Sequence, residues 1–341
     1  RDIGVTGVQT CALPIFWVSY LKGKADLAQQ FESNGVKVDH ALAGEKFLKQ
    51  IFKKRKVKIY PDILHLHLAR SEVVFGFFPL KYPRVVTRHN SEIFFPKFRL
   101  LSKFLSRLVT NDTVSIIAIS KSVRDFLIKK KEISNYKKIK TIYYGYDRKI
   151  PVKKFKNNFP KQLPKTLTIG TISRLVDQKD VATIIKSIYL LQKSNLRCSL
   201  EIIGEGNKKL ELQKLARSLG ISSNITFHSK VNNPWKVAKN WDIFCLASLY
   251  EGFGLVLLEA MDYSIPIVAS KISTSCEILG KRYPYFFEPG NELHLAQNLR
   301  EIRNLDYDFK LHFNSALKNY DSHLQMSLHS NLYNKVVLKT S

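Results

Sequence analysis

The stretch Tyr250-Glu251-Gly252-Phe253-Gly254-Leu255-Val256-Leu257-Leu258-Glu259-Ala260-Met261 follows a strand-like run, Asp242-Ile243-Phe244-Cys245-Leu246-Ala247-Ser248, and leads into an apolar, helix-like segment. Glu251 and Glu259 therefore bracket a strand–turn–helix junction. Gly252 and Gly254 let the backbone turn sharply and approach a ligand closely. The first N–H groups of the following helix lack intrahelical partners and form an anion site. With a helix start near Gly254, Glu251 lies in the loop above the helix and Glu259 about one turn inside it. A lone Glu-Gly-x-Gly is more often a plain strand ending with two solvated carboxylates, so the surroundings have to decide.

Outward from this junction, strand-like and helix-like segments alternate along the chain. Towards the C-terminus the strands read at 166–171, 199–203, 225–227, 242–246 and 267–269, and the helices at 181–193, 208–219, 235–240 and 255–263. Towards the N-terminus, helices read at 24–34, 46–57 and 94–109 and from residue 120. Strands there read at 36–38, 61–68, 84–87, 114–119 and 141–143. Such a βαβα succession implies parallel sheets covered by helices, an α/β fold of two Rossmann-like domains facing across a cleft. Residues 149–165 carry three prolines, six lysines and no acid, which marks a linker. The expected division is 16–150, a linker at 151–165, a second domain at 166–305, and a helical segment at 306–341 that crosses back.

At 341 residues the chain is long enough for two cores. Its formal net charge is +27, unevenly spread: residues 1–165 hold 34 Lys+Arg against 12 Asp+Glu, and residues 166–341 hold 21 against 16. A polybasic half implies an anionic partner, a phospholipid surface or a nucleic acid. Cys11, Cys198, Cys245 and Cys276 show no CxxC spacing, which suits free thiols in a reducing compartment. No apolar run reaches the ~18 residues of a spanning helix. Residues 5–15, Val-Thr-Gly-Val-Gln-Thr-Cys-Ala-Leu-Pro-Ile, resemble the translation of a sequencing-adaptor DNA, and residues 1–15 are set aside as an artefact.

Two further loops join the junction. Ser173-Arg174-Leu175-Val176-Asp177-Gln178-Lys179 follows one strand, and an Arg and a Lys in such a loop can clamp phosphates. Ile202-Ile203-Gly204-Glu205-Gly206 follows the next, again at a tight turn. Together and in this order the motifs resemble the group 1 glycosyltransferases, the retaining GT4-type family with the GT-B fold, over residues 17–338. The resemblance implies that Arg174 and Lys179 bind the donor diphosphate and that Glu251 holds donor-sugar hydroxyls. It further implies that Gly204, Phe253, Gly254 and Leu255 line the donor through their backbone, that Glu259 bonds the ribose, and that Val231 faces the base. The donor would be a UDP- or GDP-linked sugar, the acceptor a saccharide or lipid-linked saccharide of the cell envelope. No DxD motif stands where it would hold a metal, so no metal or other cofactor is expected. Retention by same-face attack is the family expectation.

In the first half, Val85-Val86-Thr87-Arg88-His89-Asn90 is similar to the family's strand ending in Thr-x-His, which makes His89 and Glu251 the candidates for catalysis. His65 and His67, two apart on a strand, face one side; a core or cleft role suits them better than zinc, since no third ligand is evident. In residues 94–109, Phe94, Phe98, Leu101, Leu105 and Leu108 recur at helical spacing beside Lys97, Arg99, Lys103 and Arg107. Such a helix either buries its apolar face in the core or lies on an anionic membrane. With the basic half, this favours a cytoplasmic protein attached to the inner membrane face. Asp180 replaces the family's Gly after the clamp lysine, Tyr144 replaces an Asn, and the family's opening strand and Gly-rich loop find no match. Their absence leads us to expect missing N-terminal β-α units, about 40–70 residues on domain size, and an inactive chain as written. Two other readings stay open: a sugar-nucleotide 2-epimerase, and a basic nucleic-acid-binding protein, for which no aromatic-interleaved basic motif is present.

Overall fold

The computed structural model describes residues 17–19, 37–39, 62–67, 72, 82–90, 99–149, 164–229, 231–304 and 307–338. Residues 1–15, the expected helices at 24–34 and 46–57, and the linker up to residue 163 lie outside the described residues. The chain divides into two compact units. The first comprises Arg1–Ile119, Val123–Ile142 and Met326–Ser341, the second Ser120–Ser122 and Tyr143–Gln325.

In the first unit, β1 (Trp17–Ser19) and β2 (Lys37–Asp39) form a parallel pair. A separate four-stranded parallel sheet runs in chain order through β3 (Leu64–His67), β4 (Arg84–Arg88), β5 (Thr113–Ala118) and β6 (Ile139–Thr141). Parallel neighbours need a crossover; α1 (Arg99–Asn111) lies between β4 and β5, and α2 (Lys121–Lys129) between β5 and β6. Val85, Ile117 and Ile142 pack with Val336 and Leu332 of the C-terminal helix. β4 is buried along its whole length, as expected of a strand covered on both faces.

The second unit alternates without interruption: β7 (Leu167–Ile172), α3 (Val181–Lys193), β8 (Cys198–Ile203), α4 (Lys209–Ser218), β9 (Ile225–His228), α5 (Pro234–Ala238), β10 (Ile243–Leu246), α6 (Leu255–Asp262) and β11 (Ile267–Ser270). It continues past the strands and helices read one by one through α7 (Ser273–Leu279), β12 (Phe286–Phe287) and α8 (Glu292–Glu301), and the expected helical segment follows as α9 (Phe309–Lys318) and α10 (Ser322–Val337). Of α10, only the first residues group with this unit. The sheet is parallel with order β12-β11-β10-β7-β8-β9. This is the doubly wound 3-2-1-4-5-6 order, whose topological switch point falls between β7 and β10. α3 presents Ile184, Ile185, Ile188 and Leu191 to the interior at helical spacing and stops where Asn195 takes a left-handed φ of 61°. Cys198 and Cys245 are buried free thiols, and burial pushes Cys198 up to about 11.

Residues 143–149 group with the second unit, not with the N-terminal domain to which the sequence reading gave them. The reason is local: Asp262 accepts from the Tyr146 hydroxyl (3.0 Å), Arg148 Nε (3.2 Å) and the Lys149 amide (2.7 Å), and the rings of Tyr143 and Tyr144 pack on Phe253. The tail is helical, and its residues from Met326 group with the first unit. Among the described residues, no helix is long and apolar enough to cross a membrane.

Candidate functional site

The switch point is where a doubly wound sheet leaves a crevice at the carboxyl ends of its strands. Here the loops leaving β7 and β10 carry the candidate residues. The β7 loop is tied to the β8 loop by Ser173 N–H to Ile203 O (3.1 Å) and Leu175 N–H to Glu205 O (2.9 Å). Gly204 makes this lacing possible, because a Cβ there would stand 1.8 Å from the Ser173 carbonyl oxygen. Gln178 ties the β7 loop to the β10 loop: its Nε2 donates to Tyr250 O (2.8 Å) and its carbonyl accepts from Leu249 N–H (2.9 Å). Arg174 reaches Gln178 Oε1 at 3.3 Å and is otherwise exposed.

Lys179 and Glu251 meet in an ion pair between Nζ and Oε1, both side chains about nine-tenths buried. The same Oε1 accepts from Ser248 Oγ at 2.7 Å, and Ser248 O is in turn held by Ser270 Oγ at 2.6 Å. Thr274 Oγ1 donates to the Glu251 carbonyl at 2.9 Å. Ser248 and Lys179 thus hold the carboxylate, while Ser270 of β11 and Thr274 of α7 hold the backbone that carries it. Gly254 caps α6 with φ 85° and ψ 49°, a left-handed conformation that glycine adopts without strain. Glu259 is half-buried one turn into α6, close enough to Tyr146 and Tyr263 to help push both phenols up. Val231 is half-exposed between β9 and α5. Phe253 has its ring buried against Tyr143, Tyr144 and Tyr320, so only its backbone is available to a ligand.

Asp180 occupies a left-handed turn (φ 42°, ψ 47°) immediately after Lys179. Glycine takes this conformation without strain, and Asp is among the few side chains that tolerate it. Its carboxylate accepts from Thr183 Oγ1 at 2.7 Å.

In the first unit, His89 follows β4 and lies against His67, with Nε2 and Nδ1 3.0 Å apart, so one nitrogen donates to the other. His65 Nε2 pairs with Thr87 Oγ1 and its Nδ1 with the Tyr333 hydroxyl, each at 2.6 Å. Burial pushes the His89 imidazole down to about 4, which leaves it neutral at pH 7. His65 is lowered by burial first and then by its histidine neighbours. Below the histidines, Arg88 pairs with Glu72 at 2.7 Å and donates to Ser106 Oγ at 3.0 Å. Glu72 is pushed up to about 7, burial outweighing the guanidinium beside it.

Sequence reading brought forward the residues of the two loops and the α6 junction, but not the groups that hold them, among them Ser270, Thr274, Thr183, Glu72 and Asp262. Glu277 accepts from the Lys121 and Ser122 amides (2.8 and 3.2 Å) at the start of α2. No signal in the sequence marked these contacts, since they rest on partners placed by tertiary structure.

Residues 151–318 match the family described as Glycosyl transferases group 1, and residues 26–149 match Glycosyltransferase Family 4. The chain is 28% identical over 152 residues to the poly(ribitol-phosphate) alpha-N-acetylglucosaminyltransferase of Staphylococcus aureus, a match covering 44% of this chain and 31% of that protein. It is 28% identical over 219 residues to the N-acetylgalactosamine-N,N'-diacetylbacillosaminyl-diphospho-undecaprenol 4-alpha-N-acetylgalactosaminyltransferase of Campylobacter jejuni, covering 64% of this chain and 58% of that protein. The matches thus span less than two thirds of either relative. Anabaena HepE, solved in complex with UDP, superposes with a TM-score of 0.74 at 17% identity, covering 94% of this chain and 92% of that one.

Proposed function

Because the chain belongs to the group 1 glycosyltransferases and has their GT-B fold, we propose that it moves a hexosyl group from a nucleoside diphosphate sugar to a saccharide or lipid-linked acceptor in cell-envelope polysaccharide or glycolipid synthesis. The observation that carries this reading is the meeting of Lys179 and Glu251 beside the N-terminus of α6, at the switch point of the second unit. The UDP of the HepE structure and the diphospho-undecaprenol in the Campylobacter relative's name support the donor and acceptor classes. A peripheral position on the cytoplasmic membrane face would bring the chain to a lipid-linked acceptor.

Transfer breaks the bond between the anomeric carbon and the phosphate oxygen and leaves the electron pair on the diphosphate. Lys179, Arg174 and the α6 N-terminus can receive that charge with preorganised donors. Lys179 is paired with Glu251. A diphosphate replaces Glu251 as the lysine's partner and frees the carboxylate, still anchored by Ser248, to accept from sugar hydroxyls. Phosphate binding and sugar binding are thereby linked through one ion pair. His89, neutral at pH 7, serves as a hydrogen-bonding group to a hydroxyl and not as a cation. With the leaving charge met by side chains and helix, we read the reaction as metal-independent. We further read it as retaining, with the acceptor attacking from the face the phosphate leaves and passing its proton to that phosphate.

Calorimetric titration of UDP, GDP and their sugar conjugates, with and without EDTA, tests this. One nucleotide should bind equally well in EDTA. Lys179→Met should weaken it roughly tenfold to a hundredfold, the worth of a charge-assisted contact, and Glu259→Ala should weaken nucleotide and nucleotide-sugar alike. If no nucleotide binds the folded protein the donor site is wrong, and if EDTA abolishes binding the metal-independent reading fails.

A further inference from the structure

α1 is turned the opposite way from an ordinary amphipathic helix. Leu100, Leu101, Phe104 and Leu108 fall within about 100° of arc and are 85%, 50%, 62% and 41% exposed. The face towards the sheet is instead small and mostly polar: Ser102, Ser106 and Thr110 are buried there together with Val109. Hydrogen bonds pin this orientation. Ser106 Oγ accepts from Arg88 at 3.0 Å and donates to Glu132 O at 2.8 Å, while Thr110 Oγ1 donates to Ser106 O at 2.7 Å. Rotating the leucines inward would break that chain and take one acceptor from the buried Arg88 guanidinium.

The outward stripe has a basic border. Arg107 follows the stripe on the helix, and its Nε donates to Lys131 O at 2.9 Å. Lys138 Nζ donates to Asn111 O at 2.7 Å. Both bonds hold residues 129–138 against the helix, and there Lys129, Lys130, Lys131 and Lys137 are exposed. Among the described acids close in sequence, Glu132 is buried, Asp112 is paired with Arg84 at 3.1 Å, and Asp125 is exposed on α2 one turn before Lys129, so the lysines outnumber it.

We propose that the outward face of α1, with the lysines of residues 129–137, docks on an anionic phospholipid bilayer, the four apolar side chains entering below the headgroups and the lysines meeting the phosphates. A contiguous exposed apolar patch marks an interaction surface, and a basic border selects an anionic lipid one. A second copy of the chain fits less well, because it would bring two lysine rims together. A nucleic acid would leave the leucines in water. The proposal deepens the acceptor reading, on which its place in the reaction rests.

Flotation of the full chain with vesicles of 30% phosphatidylglycerol in phosphatidylcholine, against pure phosphatidylcholine, is the test. Binding should need the anionic lipid and weaken with salt. Leu101→Asp/Phe104→Asp should lower partitioning more than tenfold, and Lys130→Ala/Lys131→Ala about fivefold per lysine. Leu210→Asp, at a more exposed leucine on the second unit, should leave it unchanged. All variants should keep the wild-type circular dichroism and UDP affinity. Wild-type protein that stays off the anionic vesicles overturns the proposal, as does an Asp double variant that binds like wild type. So does a wild-type dimer that the double variant dissociates, which would assign the face to a second copy. Binding of neither UDP nor GDP with flotation intact would sink the transferase reading and leave the docking surface standing.

Discussion

The two units take ionisable groups out of water in different ways. In the second, Glu251 and Asp262 lie beside the loops they serve, and each is met by groups from nearby loops that are themselves partly wet. In the first, β4 carries Arg84 and Arg88 into the interior, Arg88 is closed by Glu72 at 0% exposure, and the histidines follow at the strand ends. The difference is one of purpose. A carboxylate–ammonium pair within reach of solvent can exchange partners with an incoming diphosphate. A fully buried pair cannot exchange, and it serves instead to fix the strand from which His89 projects. The second unit is thus arranged for charge to come and go, the first to hold imidazoles neutral.

Breaking the buried pair should give the largest effect. Arg88→Met leaves Glu72 without its guanidinium, and truncating one partner of a buried pair costs about 3–5 kcal/mol. Urea denaturation should show that loss, with Glu72→Gln/Arg88→Met recovering much of it because the orphaned charge is gone. UDP affinity of the folded fraction should not change, as Lys179 and Glu251 belong to the other unit. A cost below about 1 kcal/mol, outside the range for a buried pair, would erase the contrast.

A second, smaller effect separates the units by pH. His65, His67 and His89 all titrate below their usual value, burial being the largest cause for each. Between pH 6.5 and about 4 the unfolded chain therefore binds protons that the folded chain does not, and stability falls as pH falls through that window. Glu72, raised to about 7, has the opposite slope, losing stability as pH rises from about 4.5 to 7. Melting temperatures measured from pH 7 to 4 should fall, and His89→Gln should flatten part of the decline. An unchanged slope in that variant would mean the imidazole is charged in the fold.

Much of the second unit was legible because its information is local. A strand, a turn with glycines and an apolar helix follow one another within twenty residues at 242–261, and a strand, a polar loop and an apolar helix recur at 166–193. The first unit was read less well where side-chain direction matters. The helical spacing of Leu101, Leu105 and Leu108 was visible, but spacing says only that residues share a face and not which way it turns. Ser102, Ser106 and Thr110 decided that, through Arg88 and Glu132 from other elements. The contacts of Glu277 were illegible for the same reason, since its bonds to the Lys121 and Ser122 amides span 156 and 155 residues. The ion pair of Lys179 with Glu251, 72 residues apart, lay between these cases: both residues were read, but not their contact.

The smallest expected effect concerns the turn that aims the clamp lysine. Asp180 holds a left-handed backbone at some conformational cost, about 1 kcal/mol for a residue with a Cβ. It recovers part of this through its bond to Thr183, whose hydroxyl is otherwise buried. Asp180→Gly removes the strain and the bond together and should be within about 0.5 kcal/mol of wild type, as two terms of about 1 kcal/mol each oppose. Asp180→Ala keeps the strain and loses the bond, so it should cost about 1–2 kcal/mol. UDP affinity should follow the backbone and not the carboxylate, unchanged in the glycine variant and slightly weaker in the alanine one if the turn relaxes. If both variants bind UDP alike and the alanine costs nothing, the left-handed turn does not hold Lys179 in place. The β7 loop would then owe its shape to the Gln178 and Gly204 contacts alone.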